Sequence, residues 1–320
     1  MRNAVKQTSI AMFLIIALVL GFNIWATADT VQGTVDNNLM NTGNISITIV
    51  NADGTTQSEA IAEAAYAEQW QVPCIMPLYD YQYQDEFRRI TIKKTAENDM
   101  TYFVVDVQLS DPVYFQTALS GDKAYSALEV VSDIAVRNHA ILAINGDDYG
   151  THKYGTIIRN GELIRANTTT RNMLIVDQNG DMSVISDRKG EKPKALSQQL
   201  VSENVWQTFE FGPELVRDGQ AVSFNSAFDV ISTRSTRREP RTAIGQIDTL
   251  HYIIIIADGR QDGYSNGMTL PELQQLFVEY GAQTAMNLDG GGSTELWFQG
   301  QILNSPAGGE ERYVSDIIFF

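Results

Sequence analysis

Twice in this chain a capped helix leads through a short apolar strand into a turn that carries both acid and glycine, and nothing else in the sequence restricts the fold as much. In the first copy Ser126 and Glu129 form an S-x-x-E capping box ahead of Leu128, Val131, Ile134 and Ala135, which predicts a helix to about Asn138. A strand over 140–144 follows and runs into Asn145-Gly146-Asp147-Asp148-Tyr149-Gly150. In the second copy Thr269 and Glu272 make the box and Pro271 sits in the first turn. Leu273, Leu276, Phe277 and Tyr280 share one face there, and Gly281 is the stop. A strand over 284–288 then ends in Asp289-Gly290-Gly291-Gly292-Ser293-Thr294.

Open α/β sheets bind ligands at the carboxyl ends of their strands, so the two turns are expected to meet. Between them lie further strand candidates, 174–176 and the apolar run 252–257, set apart by turn signals such as Asn160-Gly161 and Asn179-Gly180. Alternation at strand period begins at 89–93 and 101–109. The expected architecture is therefore α+β or mixed α/β, a central mixed sheet with flanking helices, in a single catalytic domain over residues 86–320. Before it, residues 29–85 read as a stalk and peripheral segment, with a strand at 45–50 and a helix at 58–70.

At 320 residues, 43% of them hydrophobic, the chain can bury a sizeable core. Its 23 Lys and Arg against 39 Asp and Glu give a formal charge of -16. That argues against a nucleic-acid partner and against polybasic membrane binding, so any bound anion needs local cations. Cys74 is the only cysteine, which excludes an internal disulfide and a multi-cysteine zinc site. Arg2 and Lys6 precede an apolar run over 10–25 that ends in Ala26-Thr27-Ala28. This pattern predicts an export signal over 1–28 cleaved before Asp29, or an uncleaved anchor through residues 10–26. Either reading expects a secreted or cell-surface protein that touches the membrane only through that segment.

Asp289 followed by three glycines is the most informative group. Glycine lets backbone approach a ligand closely, and successive amides can form an anion nest to which Ser293 and Thr294 add hydroxyls. The spacing is not that of a nucleotide loop. Asn145-Gly146-Asp147-Asp148 reads either as a tight turn or as part of an acid cluster. Adjacent acids also admit calcium, although no EF-hand spacing is present. Arg241 in Arg241-Thr242-Ala243-Ile244-Gly245, Arg260 after Asp258-Gly259, and Arg312 are candidate phosphate cations. Glu210 in Glu210-Phe211-Gly212-Pro213 supplies another acid in a turn. His139, His152 and His251 are scattered without zinc spacing; His152 is the one close to an acidic turn.

Taken in order, these groups resemble the phosphodiester glycosidase family. The series is Ala143-Ile144-Asn145-Gly146-Asp147, Gly155-Thr156-Ile157-Ile158-Arg159-Asn160-Gly161 and Phe211-Gly212-Pro213, then Arg241-Thr242-Ala243-Ile244-Gly245 and Asp258-Gly259-Arg260. It closes with Ser265-Asn266-Gly267-Met268-Thr269-Leu270, Asn287-Leu288-Asp289-Gly290-Gly291-Gly292-Ser293 and Glu311-Arg312. Asp148 departs from the family pattern, which has an aromatic residue there, and this bears on the acids of the site and on the platform for the sugar.

The resemblance implies hydrolysis of the bond between an anomeric carbon and an esterified phosphate; with the export signal, the substrate is expected in a cell-surface or extracellular glycan, and no cofactor is expected. Phosphate is a good leaving group, so such a site needs charge stabilisation more than acid assistance. On that reading Asp147, Asp289 and Glu210 are the catalytic candidates, with Asp147 and Asp289 at the anomeric centre in roles left open. Asn145, Arg241, Thr242, Arg260, Gly290, Gly291, Gly292, Ser293 and Arg312 are the candidates for holding substrate and phosphate. Two other readings keep the same residues: an ordinary exopolysaccharide glycosidase, and a non-catalytic envelope protein that binds calcium or glycan.

Overall fold

A computed structural model describes residues 46–50, 56–60, 78–122, 128–167, 169, 171–186, 192–224 and 236–320. The chain divides into two compact units, Met1–Gln71 and Val72–Phe320. In the first, strands β1 (Ser46–Val50) and β2 (Thr56–Ala60) form an antiparallel hairpin. Ser58 to Ala60, expected to open a helix, are thus strand. The rest of that segment, the stretch over 1–45 and Cys74 lie outside the described residues.

The second unit opens with β3 (Tyr81–Gln84), β4 (Arg88–Glu97), β5 (Met100–Leu109), β6 (Gln116–Leu119), β7 (Leu142–Asn145), β8 (Thr156–Arg159) and β9 (Glu162–Ala166). It continues through β10 (Asn172–Val176), β11 (Met182–Ile185), β12 (Gln207–Phe211), β13 (Glu214–Arg217), β14 (Gln220–Ala221) and β15 (Arg241–Asp248). The last strands are β16 (His251–Ala257), β17 (Thr284–Asn287), β18 (Leu296–Phe298), β19 (Gln301–Ile302) and β20 (Asp316–Phe319). The described α-helices are α1 (Val131–Arg137), α2 (Pro193–Ser202) and α3 (Leu270–Glu279). Strand β3, ahead of residue 86, is the edge of the largest sheet.

That sheet has eight strands in the order β14-β13-β17-β15-β16-β5-β4-β3. A five-stranded sheet runs β19-β18-β7-β20-β6, a three-stranded one runs β11-β10-β12, and β8 and β9 form a hairpin. Every described pairing is antiparallel. This overturns the expected central mixed sheet with flanking helices: the chain is mostly β, built of several antiparallel sheets. The cause is visible at both helix–strand units. Helix α3 delivers β17 between β13 and β15, and α1 delivers β7 between β18 and β20, each time antiparallel to both neighbours. A helix followed by a strand reads the same locally whether it closes a parallel crossover or feeds an antiparallel slot.

The main core lies between sheets. Ile90 and Ile92 of β4, Phe103 and Val105 of β5, and Ile254 and Ile256 of β16 pack with Leu142 and Ile144 of β7, Leu174 of β10, Phe209 of β12 and Ile318 of β20. The opposite face of the large sheet, including Ile253 and Ile255, packs on Leu270, Leu273 and Phe277 of α3. Helix α1 covers the outer face of the five-stranded sheet through Val131, Ile134 and Ala135, and Leu200 of α2 packs on Ile158, Met173 and Ile175. With both faces covered, β16 is apolar at consecutive positions instead of alternating.

The second capping box forms as expected. Thr269 accepts from the Glu272 amide, and the Glu272 carboxylate accepts from the Thr269 amide. The first differs. Helix α1 begins only at Val131, with Val130 as an N-cap that makes no side-chain bond. Glu129 instead accepts from the Gly121 amide and the Arg137 guanidinium, and its backbone bridges to Val314.

Candidate active site

One buried amide side chain joins the two turns. Asn145, at the end of β7, donates from Nδ2 to the Asp289 carbonyl at 2.7 Å. Its Oδ1 accepts from the Thr242 hydroxyl at 2.8 Å and from the Glu295 amide at 3.2 Å. The first turn, the second turn and the start of β15 therefore share a single set of hydrogen bonds. Glycine is required on both sides of this junction by close approach. An Asp316 carboxylate oxygen fills the space a Cβ would take at Gly146, and a Cβ at Gly290 would lie 2.9 Å from the Pro240 carbonyl oxygen.

Asp147 is drawn inward. Its side chain is 1% exposed and accepts from the Asp148 amide at 2.7 Å, the Glu210 amide at 2.9 Å and, at 3.5 Å, the Arg159 guanidinium. Arg159 in turn bonds Asp316 at 2.6 Å. Burial pushes both Asp147 and Asp316 above the usual carboxylate range, against the pull of Arg159 between them. Glu210 is also buried and accepts from the Thr156 amide at 2.9 Å, tying β12 to β8. Both acids are held by backbone amides of neighbouring segments.

Asp148 turns the other way. Its Oδ1 accepts from Arg171 at 2.5 Å and from His152 Nε2 at 2.8 Å. Burial raises this carboxyl, but the Arg171 hydrogen bond and charge, helped by His152, outweigh it and leave its pKa below the usual value. His152 Nδ1 faces the Arg165 guanidinium at 3.4 Å, and a guanidinium can only donate. That contact assigns the proton to Nε2, and burial favours the neutral ring by lowering the His152 pKa. The ring stacks on Tyr154 at 3.7 Å between centroids, with Arg171 over the same tyrosine.

Asp289 is the half-buried acid of the second turn, bonded to the Ser293 hydroxyl and to the Gly290 amide at 3.0 Å. Burial pushes its pKa up to about 6; Asp148 adds to the rise, while Ser293, Arg312 and the Gly290 amide oppose it. The expected anion nest is largely satisfied by the protein itself: the Gly291 amide donates to Pro240 and the Ser293 amide to Gly290. Arg241 is buried and donates to the Met268 and Arg237 carbonyls at 3.0 Å each, bracing those segments. Arg260 lies over Gly291 and is paired with Glu239 at 2.6 Å, its side chain 49% exposed. Arg312 is exposed, and its Cδ passes 3.3 Å from the Cβ position of Gly292. A cleft of about 430 Å³ opens here, lined by Gly292, Arg312, Glu311, Tyr313, Leu128 and Thr151 among others.

Of the sequence candidates, then, Asn145, Thr242, Asp289, Gly290, Gly291, Gly292, Ser293, Arg260 and Arg312 gather at this junction. Asp147, Glu210 and Arg241 support it from within. His251 pairs with Asp106 at 3.1 Å, and His139 is exposed. Three residues of the site were not singled out from the sequence. Arg171 becomes the partner of Asp148 across the fold, and no local spacing signals that. Asp316 and Glu295 do carry a signal, since each is a lone acid set directly against an apolar strand.

Asp147, Asp148 and His152 offer ligand atoms within 4.8 Å of one another. They do not fit calcium. Asp148 already bears a guanidinium, Asp147 is committed to amides, and six to eight oxygens are needed.

A family model for phosphodiester glycosidases matches residues 138–320, more than half of the chain. An uncharacterized SPbeta prophage-derived protein, YomE, of Bacillus subtilis (strain 168) is 29% identical over 196 residues, 59% of this chain. The chain spans only 29% of the length of that relative. The zebrafish N-acetylglucosamine-1-phosphodiester alpha-N-acetylglucosaminidase catalytic domain, auto-inhibited by its pro-peptide, superposes with a TM-score of 0.55 at 19% identity, over 72% of this chain and 82% of that one. A hypothetical protein from Synechocystis gives 0.57 at 15% identity, over 82% and 65%. At such identities these structures speak for the fold. The family match, together with the junction of acidic and glycine turns around Asn145, carries the assignment: the chain belongs to the phosphodiester glycosidase family.

Proposed function

We propose that this protein hydrolyses a sugar-1-phosphodiester, cleaving between the anomeric carbon and an esterified phosphate. The observation that carries the reading is Asp289: a half-buried carboxyl with a pKa of about 6, beside Arg312 and joined through Asn145 to the turn that holds Asp148. A phosphate leaving group needs little protonation, so Asp289 acts as its anion at the anomeric carbon, as nucleophile or as stabiliser of the developing positive charge. Arg312 and Arg260 take the phosphate. Asp148, kept ionised by Arg171, accepts from a sugar hydroxyl. Family membership and the substrate class in the name of the zebrafish enzyme support the same bond type. The substrate is a glycan of the cell surface or surroundings, a placement that rests on Arg2, Lys6 and the apolar run after them.

The test is release of free sugar from a panel of sugar-1-phosphodiesters beside aryl glycosides, with NMR of the first anomer formed. Turnover of the diesters alone is expected. Cleavage of aryl glycosides alone would instead mark an exopolysaccharide glycosidase, and glycan binding without any turnover would mark an envelope binding protein.

A further inference from the structure

The segment that brings Arg312 to the cleft is fastened at two points. At one end the Val314 amide donates to the Glu129 carbonyl at 2.8 Å. At the other, Ser132 in the first turn of α1 holds both oxygens of Glu311, its amide donating to Oε1 at 3.0 Å and its hydroxyl to Oε2 at 2.6 Å. Arg312 and Tyr313, between these points, are exposed at the cleft, Tyr313 to 64%. Glu311 has a further partner. The Glu295 carboxyl, on a residue 1% exposed, is hydrogen-bonded to it.

Two carboxyl groups in direct hydrogen bond need a proton between them. The surroundings decide which one keeps it. Glu311 receives two donors from Ser132, which favours its anion, whereas Oε1 of Glu295 has no partner among the described residues. The proton therefore belongs to Glu295, and Glu311 carries the charge.

We propose that Glu295 is a positioning residue: as a neutral acid it donates to Glu311, fastens residue 311 to α1, and thereby holds Arg312 against the Asp289 turn. The role assigned to Arg312 rests on the phosphodiester reading; the fastening itself does not. Burial and the neighbouring Glu311 push Glu295 up to about 10, and Glu311 sits below its usual value despite its own burial. The other charged groups on the packed elements are engaged or exposed. Arg137 pairs with Glu129 at 2.7 Å, Asp316 pairs with Arg159 at 2.6 Å, and Asp133 is exposed. Above about pH 10 Glu295 ionises, the two carboxylates repel, and Arg312 loses its placement.

The readout is the titration of Asp289, followed by NMR, because Arg312 holds that pKa down. Arg312→Ala should move the Asp289 midpoint upward by on the order of one pH unit. Glu295→Ala should reproduce that move, and so should Ser132→Ala, which loosens the same fastening without emptying a buried site. Glu295→Gln keeps a donor for Glu311 and should keep the wild-type midpoint. In diester assays the wild-type KM should climb above about pH 10, and that of Glu295→Gln should not. The proposal is overturned if Ser132→Ala and Glu295→Ala leave Asp289 unmoved while Arg312→Ala shifts it, or if Glu295→Gln behaves as Glu295→Ala does. A protein that turns over no diester would count against the phosphodiester reading, and the Asp289 titration would still decide the fastening.

Discussion

Asp289 pairs its proposed role with a cost in stability. Burial pushes its pKa up to about 6 in the folded chain from an ordinary 3.8, so the unfolded chain ionises it more readily. Between those two values the folded state binds more protons, and stability falls as pH rises through the window; above about 6 the whole penalty is present. Asparagine keeps the acceptor for the Gly290 amide and does not titrate. Asp289→Asn should therefore be more stable than wild type at pH 7 to 8, by no more than about 3 kcal/mol, with the difference vanishing toward pH 4. The same variant should lose turnover by about 10²–10⁴-fold, and wild-type kcat/KM should fall on the acid side as pH drops through about 6. Thermal melts across pH and initial rates check both. Asp148 shows how a neighbouring turn keeps its acid ionised with a guanidinium, and nothing next to Asp148 in sequence announces Arg171.

At the scale of elements, the two helix–strand units part company. Helix α3 has a complete capping box, proline in its first turn and an apolar face against the large sheet. Removing the cap with Thr269→Ala leaves the Glu272 amide without its acceptor, and should cost about 1 kcal/mol of stability, seen as a lower urea midpoint with no change in slope. Helix α1 has no side-chain cap and only seven residues, so packing of Val131, Ile134 and Ala135 holds it. The S-x-x-E pattern at 126–129 was legible, but tertiary contacts recruit Glu129 to Gly121, Arg137 and Val314 instead. A pattern of residue types states what a carboxylate can bond, and the fold decides which donors reach it first.

The unit Val72–Phe320 is built of antiparallel sheets with helices packed on their outer faces, and its stability should grade from the middle outward. Strand β16 pairs along both edges and is covered on both faces. Its amides, with those of β5 and β15, should exchange hydrogen most slowly, at the rate of global unfolding, while those of α1 exchange sooner than those of α3; exchange followed residue by residue tests this order. Much of the candidate site was open to reading from the amino acids alone. The acidic turns at the ends of β7 and β17, the glycines at close approach and the family motifs are local, because backbone reach and hydrogen-bonding capacity are properties of adjacent residues. Strand direction and partner choice are not. Whether β7 and β17 run with or against their neighbours, why Asp147 turns inward while Asp148 and Asp289 remain within reach, and that Glu295 meets Glu311 all depend on contacts between residues far apart in sequence. Only the packed chain settles those, since burial and the arrival of a distant donor set the ionisation of each acid.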